Sequence, residues 1–391
     1  MDYLKRTWAD ISIDNLQHNY RQIRQHIPSS CRFLGVVKAD AYGHGAVPIS
    51  RYLTEFGAEA LAVSNLEEAE QLRRGGIRGP ILILGYTPPK YAEELGQMGL
   101  RQEVHSLEYA RALNERLKGT NRRIRVHIKL DTGMSRLGFF AYDHEKTLDE
   151  LVQVAAMEHL LIEGVFTHFP VADSVDGADA NFTHTQFDRF MRMLDAMAAA
   201  GIRPELRHCC NSGASILYPE YALDMIRSGI ATYGVYPSGD LRGKIDLKPV
   251  MQLRSTVFQI RDFEPNITVS YGRTYTTRTS ERIAVVGIGY ADGLSRSFSN
   301  NISFLLHGKR VPQVGRICMD MCMIDISRVP EAKVGDVVTV FGEDGGDSIE
   351  VDSLSGRLGT IPYELLCGIN KRIPRVFTDG ENQTEILQYI V

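Results

Sequence analysis

The chain has 391 residues, 43% hydrophobic and 24% charged, with a formal net charge of -4 at pH 7. This describes an ordinary globule with ample core, and the lack of a basic excess speaks against nucleic acid and anionic membrane as partners. The six cysteines, Cys31, Cys209, Cys210, Cys318, Cys322 and Cys367, are too few for a disulfide scaffold and lack paired zinc spacing, so no metal site is expected and a reduced cytoplasm suits the chain.

The start, Met1 to Arg6, is polar and leads directly into folded pattern, so no signal peptide is expected, and no apolar run is long enough to span a membrane. Thr7 to Ile13 alternates like a strand, and Asp14 is the expected N-cap of a helix carrying Leu16, Tyr20, Ile23 and Ile27. Strands are then expected at Phe33–Val37, Leu61–Val63, Ile81–Leu84, Glu103–His105, Ile124–Leu130, Leu160–Phe166, Glu205–Cys209 and Met225–Tyr233, with helical patterns from about Leu66, near Lys90 and from Leu107. About eight strand–helix units predict a TIM-type (β/α)8 barrel over residues 10–240, with its chemistry on the loops after the strands. An open doubly wound sheet would read similarly, but no GxGxxG follows the first strand. After Pro237-Ser238-Gly239 the texture changes. Short strands at Val257–Ile260, Ile283–Ile288, Ile302–Leu306, Val311–Val314, Met321–Ile326 and Val337–Phe341 predict a mostly β domain over 241–391.

The chain is organised around Val36-Val37-Lys38-Ala39-Asp40-Ala41-Tyr42-Gly43-His44-Gly45. A lysine closes an apolar strand among alanines and glycines that leave room for something bulky beside its amine. This run resembles the cofactor-lysine motif of the alanine racemase family, pyridoxal-phosphate enzymes built on a barrel. The resemblance spans nearly the whole chain and implies that residues 1–9 join the β domain. It also implies Lys38 as the anchor of pyridoxal 5'-phosphate and one of two catalytic bases.

Further clusters extend the resemblance. Lys129-Leu130-Asp131-Thr132-Gly133-Met134-Ser135-Arg136 ends a strand in a polar turn. In the family a carbamylated lysine, here Lys129, braces an arginine, here Arg136, that reaches substrate; carbamylation turns a repelling cation into an attracting anion. The family often has glycine where Ser135 stands. His168, in Thr167-His168-Phe169, matches the histidine that hydrogen-bonds the ring-facing arginine, here Arg227. An arginine against the pyridine nitrogen cannot readily give it a proton, so the ring stays a weak electron sink and prompt reprotonation at Cα is favoured. Ser212, Gly229, Ile230, Tyr42 and Tyr363 match the residues that hold the cofactor phosphate.

In the β domain, Val269-Ser270-Tyr271-Gly272-Arg273 matches the catalytic-tyrosine block, with Tyr271 as second base; Tyr290 lines the pocket, and Met319 meets substrate through its backbone. The resemblance implies proton transfer on opposite faces of Cα, Lys38 serving the D-isomer and Tyr271 the L-isomer, with Arg136 and the His168–Arg227 pair assisting the phenol. It also implies a head-to-tail homodimer in which the tyrosine comes from the partner subunit. The substrate would be alanine. A serine-preferring racemase would share every catalytic residue, with Tyr363 as the discriminating gate. A fold-related amino-acid decarboxylase is disfavoured by the blocks around Tyr271 and Arg227, and a non-catalytic cofactor carrier would leave the β domain unexplained.

Overall fold

The computed structural model describes residues 3–390, so the first two positions of the 1–9 stretch lie outside the described residues. The chain divides into two compact units. In the unit formed by Gln17–Ala41 and Ala46–Lys248, parallel strands run Arg32–Val36, Ala60–Val63, Ile81–Ile83, Arg101–Val104, Ile124–Asp131, Leu160–Phe166, Leu206–His208 and Met225–Ser228. Each pairs with its successor up to Leu206–His208, and the last returns to pair with the first. Backbone hydrogen bonds from Asp224 N to Arg207 O (3.1 Å) and from Arg227 N to Cys210 O (2.9 Å) bridge the remaining seam, so the sheet comes round on itself as the expected (β/α)8 barrel.

Strands such as Ile81–Ile83 are buried throughout, as parallel strands under crossover helices must be. The helices start where the sequence supplies caps. Asn65, Ser106, Asp143 and Asn211 accept from the backbone N–H of Glu68, Tyr109, Lys146 and Ala214, satisfying donors that a helix start leaves unpaired. Two expectations need correction. The first helix spans Ile13–His26 and its cap is Ser12, whose Oγ accepts from Asn15 N at 3.1 Å; Asp14 lies inside the first turn and accepts instead from Gly380 N. The stretch Met225–Tyr233 is not one strand: it leaves the sheet after Ser228, and Ile230–Tyr233 is a 3-10 turn.

The other unit comprises the described residues of Met1–Leu16, Tyr42–Gly45 and Pro249–Val391. Its sheet runs Asp347–Ile349, Val337–Asp344, Ser303–Leu306, Lys309–Val314, Cys322–Asp325, Glu281–Val286, Met251–Phe263, Thr7–Ser12, Arg375–Asp379, Asn382–Leu387. Val337–Asp344 also pairs with Met251–Phe263, which closes these two and the four strands between them into a small antiparallel barrel. Thr7–Ser12 lies between Met251–Phe263 and Arg375–Asp379. The boundary with the first unit falls at Lys248/Pro249, beyond the expected 240/241. Lys248 is held by a reciprocal pair, its N–H to Asn19 Oδ1 (2.7 Å) and Asn19 Nδ2 to its carbonyl (2.8 Å).

The segment after Lys38 is the one conformational surprise. Ala39, Asp40, Ala41 and Tyr42 all have φ between 52° and 56°, a left-handed turn of consecutive non-glycine residues. Each L-residue there brings Cβ close to the following carbonyl at about 1–2 kcal/mol, a cost that alanine bears and glycine would not. Glu68 holds the turn's start, its two oxygens accepting from Ala39 N and Ser64 N at 2.7 Å each, and Asp40 Oδ1 accepts from Ala46 N at 2.9 Å where the helix Ala46–Phe56 begins. Ala39 is exposed. Ala39→Gly should therefore relieve ~1–2 kcal/mol of crowding while adding ~0.5–1 kcal/mol of chain entropy to lose. We expect a net stabilisation of about 0.5–1 kcal/mol in urea denaturation; a loss of stability would mean that the turn is not strained.

Candidate active site

The barrel delivers its functional side chains from strand ends. Val36 ends the first strand, and its carbonyl accepts from the buried Tyr233 hydroxyl at 2.9 Å, which fixes the point where Lys38 emerges. The sequence offered no sign of this clamp, because Tyr233 is almost two hundred positions away.

Arg227 is 3% exposed on the last strand and donates to the carbonyls of Thr167 (2.8 Å), His208 (3.1 Å) and Cys209 (3.1 Å). It also meets His168 Nδ1 at 3.2 Å, as the resemblance implied, and His208 Nδ1 at 3.0 Å, which the sequence reading missed. Burial lowers its pKa to about 10, so it remains a cation at neutral pH. Burial, and then the positive charge of Arg227, hold both histidines well below the usual imidazole range, so each is a neutral acceptor.

Phe166 forms a platform among these groups. His208 stacks on it at 4.9 Å, while the Arg227 guanidinium and the Lys129 amine lie 5.2 Å and 5.4 Å from its ring centre. Lys129 is 4% exposed, and burial lowers its pKa to about 8; Glu103 opposes that shift, and Arg136 reinforces it. Glu103 is fully buried, and neither of its carboxylate oxygens has a hydrogen-bond partner among the described residues. Arg136 is exposed, beyond a loop in which Asp131 Oδ1 accepts from Gly133 N and Ser135 N at 3.0 Å each. Ser135 has φ 56°, a conformation that favours glycine, and so it bears a small strain where it stands.

Ser212 opens the short helix Ser212–Leu217, and its Oγ accepts from Gly229 N (2.9 Å) and Ala231 N (3.4 Å), tying together the loops after the last two barrel strands. The first N–H groups of that helix and of the turn at Ile230 have no partner within their own elements. With the Ser212 hydroxyl they make a donor set suited to a phosphate, and the Lys38 amine and buried Arg227 cation suit an aldehyde-bearing pyridine ring.

In the β unit, Tyr271 is 67% exposed and follows Ser270, whose φ of 66° and bond from Oγ to Arg316 O (2.6 Å) turn the chain outward. Tyr290 and Met319 are also exposed, and they are joined through the backbone: Tyr290 N donates to Cys318 O at 3.0 Å and Ala291 N to Met319 O at 3.0 Å. Gly289 permits that approach, since a Cβ there would lie 2.3 Å from Met319 O. Tyr42 is buried with its ring 5.9 Å from that of Tyr363, and burial pushes its hydroxyl pKa well up.

A (β/α)8 barrel with a lysine at the end of its first strand, followed by a mostly β unit, defines the class shared by the amino-acid racemases and decarboxylases weighed above. Within that class, residues 11–237 match the alanine racemase N-terminal domain and residues 250–377 the alanine racemase C-terminal domain. Alanine racemase 2 of Caldanaerobacter subterraneus subsp. tengcongensis is 40% identical over 100% of this chain and 99% of its own length. The solved alanine racemase of Clostridium difficile 630 superposes with a TM-score of 0.95 at 38% identity, covering all of both chains. That of Bacillus anthracis, solved with bound L-Ala-P, gives 0.92 at 34% identity, over 100% of this chain and 99% of its own. The chain belongs to the alanine racemase family. It is an amino-acid racemase, an isomerase whose family uses pyridoxal 5'-phosphate; no helix among the described residues is long and apolar enough to cross a membrane.

Glu163 is the second group that the sequence reading missed. It accepts from Arg101 Nε (2.9 Å), Arg125 Nη1 (3.2 Å) and His127 Nε2 (3.2 Å). Burial would raise its pKa, but the hydrogen bonds from His127 and Arg101 outweigh it and lower the value from 4.5 to about 2. A depressed carboxylate contributes stability that is present above its unfolded pKa and lost as pH falls through the folded one. We therefore expect Glu163→Gln to cost on the order of 1–3 kcal/mol at neutral pH. The gap to the parent protein in denaturant titrations should shrink as pH is lowered from 4.5 to about 2, and a gap that is flat with pH would contradict the ionised state.

Proposed function

We propose that the chain interconverts L-alanine and D-alanine, with Lys38 and Tyr271 moving the Cα proton on opposite faces. The observation that carries this reading is Arg227: a buried guanidinium hydrogen-bonded to carbonyls and neutral imidazoles, still protonated at neutral pH. Pyridoxal 5'-phosphate, when bound, supplies an electron-withdrawing ring that acidifies the Cα–H of a covalently attached amino acid. Arg227, a cation that does not readily give up its proton, would stand toward the ring nitrogen and leave it unprotonated, which would keep the electron sink shallow and favour return of the proton to Cα over side reactions. His168 steadies Arg227. Ser212, Gly229, Ile230, Tyr42 and Tyr363 would hold the phosphate. Arg136 binds the substrate carboxylate, while Tyr290 and the backbone of Met319 line the substrate's place. Lys129 is the site of carbamylation; its lowered pKa supports this role, since the uncharged amine adds to carbon dioxide and releases a proton.

The acting form is a homodimer with shared sites, Lys38 from one chain serving with the tyrosine of the other. The exposure of Tyr271 on the surface of its own unit supports this arrangement. A cytoplasmic setting is supported by the six free thiols.

Purified protein should turn L-alanine into the racemate, followed by circular dichroism, with L-serine assayed beside it; carbon dioxide release in place of racemisation would sink the reading. Borohydride should fix the cofactor covalently on the peptide bearing Lys38, and labelling of a different lysine would remove Lys38 from its role. Carbon-13 bicarbonate should give a carbamate signal that Lys129→Arg lacks, and a signal unchanged by that substitution would clear Lys129 of the modification.

The shared site has its own test. Lys38→Ala and Tyr271→Phe proteins should each be nearly inactive. Mixed in equal amounts and allowed to exchange subunits, about half the dimers become mixed and roughly a quarter of all pockets regain both bases. Exchange without recovered activity would refute the inter-subunit arrangement.

A further inference from the structure

Behind Arg227 lies a row of buried polar groups that the chemistry above does not use. Arg227 Nη1 meets His208 Nδ1 at 3.0 Å, His208 Nε2 meets His127 Nδ1 at 2.9 Å, and His127 Nε2 meets Glu163 Oε2 at 3.2 Å. His208 and His127 are 0% and 2% exposed. Beyond them Glu163 is gripped by Arg101 and Arg125.

The two ends leave one way to place the protons. A guanidinium only donates, so His208 Nδ1 must accept and its proton sits on Nε2. That Nε2–H donates to His127 Nδ1, which leaves the His127 proton on Nε2, pointing at a carboxylate that only accepts. Either imidazole in its doubly protonated form would set N–H against N–H in a space closed to water. Both are therefore neutral, with their dipoles aligned head to tail. In such a row each bond strengthens the next, so the negative charge on Glu163 makes His208 Nδ1 a better acceptor for Arg227.

The packing is built for this row. Phe166 stacks on His208 with 5° between the planes, which fixes the imidazole's tilt. Gly164 sits in mid-strand, where a glycine weakens pairing, yet a Cβ there would lie 2.4 Å from His127 Nδ1 and 2.6 Å from its Cε1. The place where that side chain would start is taken up by the His127 ring.

We propose that Glu163 acts on Arg227 through His127 and His208, as a positioning residue that keeps the guanidinium protonated and fixed in direction. Its bearing on the reaction rests on the reading that Arg227 faces the cofactor ring; the arrangement of protons does not. Directly buried ion pairs are one way to hold a cation in a barrel interior. Here the carboxylate of Glu163 stands off by two imidazoles, so it reaches Arg227 only through neutral hydrogen-bond partners.

The test uses the holoenzyme labelled with nitrogen-15 in histidine and arginine. In the parent protein, NMR should find His127 and His208 both neutral with the proton on Nε2. His127→Leu removes the middle of the row and leaves Glu163 its two arginines; Gly164→Ala pushes the His127 ring aside without deleting a polar group. In both variants the Arg227 side-chain N–H protons should exchange with water faster and rotation about its C–N bonds should speed up. kcat should fall while KM for the amino acid is unchanged. Protons on Nδ1, or a doubly protonated ring, in the parent protein would overturn the proposal even if neither variant folds. Folded variants with parent-like Arg227 signals would overturn it as well, whatever their kcat. A parent protein with the expected tautomers but no racemase activity would instead refute the functional reading and leave the row standing.

Discussion

A positive charge inside a barrel has to be stabilised by what surrounds it, and much of this molecule's interior is arranged about that need. Arg227 is almost wholly buried, and burying an unpaired ion in a low-dielectric interior costs far more than one hydrogen bond returns. The protein answers with backbone carbonyls at the ends of two neighbouring strands and with two neutral imidazoles. Those carbonyls are available because the strands stop there, which ties the site to the rims of the barrel sheet. Arg136, and the Lys129 amine while it is unmodified, deepen the problem, and the buried carboxylate of Glu103 offsets them.

Much of the fold was legible because hydrophobic periodicity reports burial. The barrel strands stood out as short apolar runs at even spacing, and the strands of the closed six-stranded barrel fell close to their expected places. What escaped was set by contacts distant in sequence or by polar character. Arg375–Asp379 and Asn382–Leu387 carry too many charged and polar residues to read as strands, and their place beside Thr7–Ser12 is a tertiary decision. Asp14 looked like a cap because aspartate favours that position, but Ser12 lies one residue before the helical φ/ψ begins. Met225–Tyr233 read as continuous strand because Ile230–Tyr233 is apolar; its burial comes from a turn under the barrel rim.

The site was legible in a different way. Lys38, Arg227, His168 and Tyr271 were named from blocks of neighbouring residues that resemble the family's, and of these the structure brings Arg227 and His168 together at 3.2 Å. Residues that act from behind leave no such block. Glu163 stands singly in an apolar strand, and His127 and His208 share theirs with arginine or lysine, so none of the three forms a block that reads as chemistry. The one local signal was alternation: His127 and Lys129 share a side of their strand, and Arg101 and Glu103 share one on the neighbouring strand, too many polar residues for an inert interior.

The β unit's sheet has a property that bears on how the protein keeps to itself at high concentration. Six of its strands close on one another, so among the described residues the sheet has two edge strands. One is Asp347–Ile349, only three residues long. The other is Asn382–Leu387, whose first three residues, Asn382, Gln383 and Thr384, are exposed and polar. A short edge and a hydrophilic one are both poor templates for a foreign strand. Neither edge strand thus gives another copy of the chain much chance of joining by sheet extension.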